Sequence, residues 1–125
     1  MQVLIIGAGK MGEAVLKRWL LYKSEYNIEI SVVDINSTRR SFLKKKYPKL
    51  KTSKHIPKDW KGEIILLSIK PQNFLSISDS INSKNLSSKI VLSIIAGITI
   101  NNLKSYIKLD STFVRAMPNL ASGVG

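Results

Sequence analysis

The feature that most constrains this chain is a glycine-rich loop near its N-terminus, Gly7-Ala8-Gly9-Lys10-Met11-Gly12. The loop follows the short apolar run Val3–Ile6, which is typical of a strand buried on both faces of a parallel sheet. A predicted helix from about Met11 to Tyr22 comes next. In the spacing G-x-G-x-x-G, the first glycine permits a tight turn, the second lets a pyrophosphate approach the backbone, and the third lets the helix pack on the strand. The six loop residues therefore predict a dinucleotide site at a helix N-terminus, with an ordinary strand-to-helix turn as the alternative.

The rest of the chain alternates between predicted strands and helices. The further predicted strands are Ile28–Val33, Leu50–Thr52, Glu63–Ile69, Ile90–Ile95 and Thr112–Met117. The helices between them begin at a cap on Asn36 or Ser37, with Pro71 in the first turn, and at a cap on Thr99. The stretch through Pro57 and Trp60 is predicted to be irregular. This order predicts one α/β domain over residues 1–125, a Rossmann-type doubly wound, mostly parallel sheet with helices on both faces.

Asp34 adds specificity to the predicted site. It ends the second predicted strand about 20 residues after Gly12, the spacing at which an acidic residue holds the adenine ribose of a dinucleotide. A 2′-phosphate beside this carboxylate would be repelled, which favours NAD over NADP. Arg39 and Arg40 lie just beyond and could instead bind such a phosphate, so the preference for NAD is modest. Asn36 and Ser37 are assigned to the same site.

Composition and charge argue against several other functions. The net charge of +12 is spread along the chain, with one compact run at Lys44-Lys45-Lys46, so a solvated surface is favoured and nucleic-acid binding is not. There is no cysteine, and no complete acid/base pair or metal site stands out. No apolar run reaches the roughly 18 residues that span a bilayer. We expect a cytoplasmic protein with no membrane contact.

Four segments together resemble the N-terminal domain of pyrroline-5-carboxylate reductase, over essentially the whole chain. They are Ile6 to Ala14, Leu67 to Gln72, Ser93 to Thr99, and Arg115-Ala116-Met117-Pro118-Asn119. The resemblance implies a reductase that transfers hydride from NADH or NADPH to the C=N bond of 1-pyrroline-5-carboxylate, giving L-proline.

The resemblance also implies further site residues. Ser68, Ile69, Lys70 and Pro71 would hold the ribose and phosphates of the cofactor, and Ala96 and Gly97 would lie against the nicotinamide. Met117, Pro118 and Asn119 would face the substrate. His55 falls near the place of a cofactor-contacting asparagine in the family, although a lone histidine there is more often a surface residue. Glu13 suits the helix dipole, and no chemistry is assigned to it.

One departure from the family limits the expected activity. The family's second, helical domain, through which its members oligomerise and bind the substrate, does not follow in this sequence. We therefore expect little reductase activity from this chain alone, and no residue is assigned as catalytic. The alternatives are a stand-alone nucleotide-binding or sensing domain and a relative of the NAD-dependent 3-hydroxyacid dehydrogenases.

Overall fold

The computed structural model describes residues 1–117 and contains one six-stranded sheet. The strands are β1 (Gln2–Ile6), β2 (Glu29–Val33), β3 (Lys51–Ser53), β4 (Asp59–Leu67), β5 (Asn85–Ser93) and β6 (Thr112–Arg115). The helices are α1 (Lys10–Leu21), α2 (Lys23–Tyr26), α3 (Ser37–Lys46), α4 (Phe74–Asn82) and α5 (Ile100–Tyr106), and a 3₁₀ turn at Pro71–Asn73 leads into α4.

The sheet has the order β3-β2-β1-β4-β5-β6, and every pairing between neighbouring strands is parallel. The chain winds outward from β1 in one direction, returns to the centre at β4 and winds outward in the other. The strand order therefore reverses between β1 and β4, and a crevice opens at the carboxyl ends of these two strands. The predicted doubly wound fold is confirmed.

Two hydrophobic cores lie on the two faces of the sheet. Val3 and Ile5 of β1 belong to one core, and Leu4 and Ile6 belong to the other, so β1 is buried on both faces as predicted. The first core is covered by α1 and α3 through Leu16 and Leu43. The second is covered by α4 and α5 through side chains that are almost fully buried, namely Phe74, Ile81 and Leu103.

The predicted starts of β4 and β5 were wrong by four and five residues, and both strands also end two residues before their predicted ends at Ile69 and Ile95. β4 begins at Asp59, so the stretch around Trp60 is strand rather than irregular, and β5 begins at Asn85 rather than Ile90. The two extensions pair with each other, Asp59 opposite Asn85 and Trp60 opposite Leu86. Their polar residues conceal this pairing in the sequence because it depends on tertiary contact rather than on a local hydrophobic run.

Helix caps follow the sequence more closely. The side chain of Asn36, and not that of Ser37, caps α3 by accepting a hydrogen bond from the backbone N–H of Arg39 at 3.0 Å. Thr99 caps α5 by accepting from the N–H of Asn102 at 3.1 Å. β6 ends at Arg115, two residues before its predicted end at Met117.

The start of α1 is fixed against the sheet by close contact between the glycine loop and Ser68. A Cβ on Gly12 would lie 2.5 Å from the carbonyl oxygen of Gly7 and 2.6 Å from Oγ of Ser68. Gly7 has a φ of +93°, and a Cβ there would lie 2.5 Å from the carbonyl oxygen of Ser68. By contrast, a Cβ on Gly9 would have no atom within 4 Å. The first and third glycines are therefore required for packing, whereas the second faces open space.

This difference predicts that two matched glycine-to-valine variants lose different amounts of stability. Gly12→Val is expected to lower the free energy of unfolding by about 3 kcal/mol or more, because the added atoms meet backbone that has no room to move. Gly9→Val, the control, should lower the free energy of unfolding by about 1 kcal/mol or less, mainly because valine is a poorer N-cap residue than glycine. Urea denaturation followed by far-UV circular dichroism measures both. Equal unfolding midpoints for the two variants would contradict the packing role of Gly12.

Candidate functional site

A groove of about 620 Å³ opens at the carboxyl edge of the sheet. Its walls come from the segments that follow β1, β2, β3 and β4 and from one side of α4. This is the position at which open parallel sheets bind their ligands. The predicted site residues that line it are Gly7, Ala8, Gly9, Asp34, Asn36, Ser68, Ile69 and Lys70.

The N-terminus of α1 meets the groove at Gly9, the residue that precedes the first helical turn. No side chain among residues 1–117 caps this helix, in contrast to α3 and α5. The N–H groups of the first turn of a helix have no partner within the helix, and they carry its partial positive charge. Together with the open space above Gly9, they offer an anion-binding position of the kind that holds a pyrophosphate.

Asp34 lies at the next strand end and connects two segments of the groove wall. Its Oδ2 accepts a hydrogen bond from the backbone N–H of Ala8 at 2.9 Å, and its Oδ1 accepts one from the N–H of Asn36 at 2.9 Å. The carboxylate thus fixes the glycine loop relative to the start of α3. Each carboxylate oxygen has a second lone pair, so Asp34 retains the capacity to accept hydrogen bonds from a ligand in the groove.

Arg39 lies in the groove wall, where the sequence marks it as a possible phosphate ligand. Its Nε donates a hydrogen bond to the carbonyl oxygen of Ala8, and its Nη2 donates to Oε1 of Glu13, each at 2.5 Å. The guanidinium also lies over the ring of Phe42, 4.9 Å from the ring centre. Arg39 is therefore held between the glycine loop and α1.

Glu13 accepts from a second cation, because Nζ of Lys46 lies 2.8 Å from its Oε2. Partial burial acts to raise the pKa of the Glu13 carboxyl, but the hydrogen bonds and charges of Lys46 and Arg39 outweigh it, so this pKa is lowered. Glu13 is ionised at neutral pH and neutralises charge beside the groove. Its role was missed in the sequence, where the partners that explain it lie 26 and 33 residues away.

Several predicted site residues lie outside the lining of the groove. Gly12 serves packing, as described above, and Ala96 and Gly97 lie exposed beyond the end of β5. Met117 is 73% exposed at the end of the described chain. Pro118 and Asn119 lie outside the described residues. The other predicted site residues that are absent from the lining are Lys10, Met11, Ser37 and Pro71.

One wall of the groove, which α4 and the turn before it provide, was not predicted from the sequence. Asn73, Ser76, Ile77 and Ser80 line it. Their spacing of three and four residues places them on one side of a helix, so a mostly polar stripe on the helix after Pro71 was the available signal. Lys54 and His55, which follow β3, also line the groove, and His55 is exposed there.

Residues 1–117 show neither a metal-binding cluster nor a membrane-spanning helix. No group of three or more histidine, cysteine, aspartate or glutamate side chains is placed to hold a metal ion. None of the helices in this part of the chain is both long enough and apolar enough to cross a membrane.

Comparison with known proteins assigns the family. The family model described as NADP oxidoreductase coenzyme F420-dependent matches residues 2–97. The chain belongs to this family. The matched range contains the glycine loop, Asp34, Arg39 and the segment after β4, so the family match covers the described groove.

The curated proteins that this chain resembles include several pyrroline-5-carboxylate reductases. The enzyme from Haemophilus influenzae is 31% identical over 124 residues, a match that covers 98% of this chain and 45% of the relative. The enzyme from Synechocystis is 32% identical over 124 residues, covering 99% of this chain and 46% of the relative. The chain thus spans about half the length of the curated relatives it matches, and the predicted resemblance to pyrroline-5-carboxylate reductase is confirmed.

Solved structures agree on the fold. The 1-pyrroline-5-carboxylate reductase of Streptococcus pyogenes superposes with a TM-score of 0.75 at 21% identity, covering 99% of this chain and 45% of that one. A pyrroline-5-carboxylate reductase from Coxiella burnetii gives a TM-score of 0.72, also at 21% identity, and 45% of its chain is covered.

The charge cluster around Glu13 predicts a pH-dependent contribution to stability. The pKa of Glu13 is lower in the folded state than its usual value of 4.5, so its ion pairs stabilise the fold fully above about pH 4.5 and lose this effect as the pH falls through the folded value. The difference in free energy of unfolding between the wild type and Glu13→Gln should therefore be largest at neutral pH and shrink in acid. Urea midpoints measured across this range give the difference. A gap that stays constant with pH, or the same trend in the control Glu25→Gln on the exposed α2, would contradict the assignment.

Proposed function

We propose that this chain binds a reduced nicotinamide dinucleotide in the groove and supplies the cofactor half of a pyrroline-5-carboxylate reductase reaction. The observation that carries the proposal is the open space at Gly9, the second glycine of the loop, at the uncapped start of α1. The two outer glycines are required for packing, but packing gives no reason for a glycine at this position. A pyrophosphate that approaches the backbone of the loop gives one.

The remaining lining residues fit the rest of a dinucleotide. Asp34 offers acceptor capacity at the end of β2 for the hydroxyls of the adenine ribose. Ser68, Ile69 and Lys70 line the groove after β4, on the side that would carry the second ribose and the nicotinamide. Lys70 precedes the turn at Pro71–Asn73 and places an exposed positive charge beside this path.

The reaction that we propose for the whole enzyme follows from its relatives. When bound, the reduced nicotinamide supplies a hydride to the carbon of the C=N bond of 1-pyrroline-5-carboxylate, and a proton reaches the nitrogen, giving proline and the oxidised cofactor. The described residues of this chain bind and orient the cofactor. We assign no proton donor among them, and Met117, Pro118, Asn119, Ala96 and Gly97 remain proposed contacts on the substrate and nicotinamide side. The proposed setting is cytoplasmic, with oligomerisation through a further helical domain as in the family.

We further propose that the groove prefers NAD(H) to NADP(H). The carboxylate of Asp34 faces the position of the adenine ribose and would repel a 2′-phosphate there. The guanidinium of Arg39, a cation in the lining, donates to Ala8 and Glu13 and shares the Glu13 carboxylate with Lys46. Both features support the cofactor without the phosphate.

The test is a titration of the chain with NADH and with NADPH, followed by cofactor fluorescence. We expect saturable binding of NADH and weaker binding of NADPH. Gly9→Val should abolish binding of both, since its added methyl groups occupy the space of the pyrophosphate, while its urea midpoint stays close to that of the wild type. Undiminished binding by Gly9→Val would refute the site, and NADPH binding at least as tight as NADH would refute the preference.

A further inference from the structure

A cluster of three charged side chains, Glu13, Arg39 and Lys46, lies beside the glycine loop. Glu13, in the first turn of α1, has a side chain only 16% exposed and is held between Arg39 and Lys46. The cluster joins α1 to both ends of α3, since Arg39 lies in its first turn and Lys46 is its last residue. A single carboxylate thus neutralises one of two cations and positions both.

The geometry of Arg39 shows what this arrangement holds in place. Nε and Nη2 are directed to Ala8 and Glu13, and Cζ of the guanidinium lies 4.9 Å from the ring centre of Phe42. A guanidinium carries five N–H donors in a rigid fork, which matches the oxygens of a phosphate when its two-pronged edge is available. Here Nε donates to the glycine loop and Nη2 donates to α1, so these two donors are already in use.

The position of Arg39 relative to Asp34 gives this geometry a consequence for ligand choice. Asp34 bonds the N–H of Ala8, and Arg39 bonds the carbonyl oxygen of the same residue, so the two side chains flank one peptide segment in the groove wall. A 2′-phosphate on the adenine ribose would approach the Asp34 carboxylate. Two arginines lie near this position: Nη1 of Arg40 donates to the carbonyl oxygens of Asp34 and Ile35 at 2.8 and 3.0 Å, and Arg39, unlike Arg40, lines the groove. Arg39 can serve that phosphate only with donors that Ala8 and Glu13 do not already occupy.

We infer that Glu13 is a positioning residue for cofactor specificity, which disfavours NADPH by holding the guanidinium of Arg39 on the glycine loop. This inference rests on the proposed function, because it concerns which dinucleotide the same groove accepts. Glu13 contacts no cofactor in this account and acts through Arg39. Loss of its charge frees a fork of N–H donors for a phosphate.

The experiment compares the ratio of dissociation constants, NADPH over NADH, in the wild type and in Glu13→Gln. We expect the ratio to fall about tenfold, the effect of one hydrogen bond to a charged group, with NADH affinity nearly unchanged. Glu25→Gln is the matched control, since it changes net charge equally on the exposed α2. A similar fall in that control would show a general charge effect and overturn the inference.

A second pair of variants separates positioning from a structural role. Arg39→Gln added to Glu13→Gln should remove the gain in NADPH affinity, whereas Arg39→Gln in the wild type should weaken both cofactors alike and leave the ratio within about twofold. If Glu13→Gln does not fold, Arg39→Gln alone still tests whether Arg39 binds the 2′-phosphate of NADPH in the wild type. A selective loss of NADPH binding in that variant means that Arg39 already serves the phosphate, which overturns the inference.

The outcomes also separate this inference from the proposed function. A wild-type chain that binds neither NADH nor NADPH defeats the proposed function and the inference with it. A wild type that binds NADH and loses it in Gly9→Val, together with an unchanged cofactor ratio in Glu13→Gln, defeats the inference alone.

Discussion

The close contact between the glycine loop and Ser68 determines where everything else in the groove lies. Gly7 turns the chain off β1 with its backbone against the carbonyl of Ser68, and Gly12 lets α1 begin against Oγ of the same residue. A side chain at either glycine would push α1 away from the sheet. This contact places the uncapped start of α1 at the point where the strand order reverses, so a steric requirement of the fold also creates the anion-binding position.

The parts of the structure that the sequence predicts are those fixed by local rules. The loop, the caps at Asn36 and Thr99 and the doubly buried β1 follow from glycine spacing, side-chain capping and an apolar run. The early start of β4 at Asp59 was missed because this segment is ordered by pairing with β5, and its polar residues carry no strand pattern of their own. Long-range pairing, not local preference, determines such boundaries.

The same distinction applies to the site. Asp34 was predicted to hold a ribose, and the structure adds that its two oxygens already fix the backbone at Ala8 and Asn36. Arg39 was identified as a possible phosphate ligand, but its pairing with Glu13 depends on how α1 and α3 pack over one face of the sheet. In a chain of net charge +12, a carboxylate and two cations form one small cluster beside the loop, in addition to Lys54 and Lys70 in the lining of the groove.

The central claim is that a dinucleotide binds across the carboxyl edge of the sheet at the start of α1. Backbone amide chemical shifts of the isotopically labelled chain, recorded during titration with NADH, test it directly. We expect the largest shifts on Gly9, Lys10 and Met11 and on the segment from Asp34 to Asn36. A second hollow of about 350 Å³, lined by residues that include Leu20, Tyr47 and Leu50, provides the contrast. Shifts concentrated there, or absent at the loop, would contradict the account.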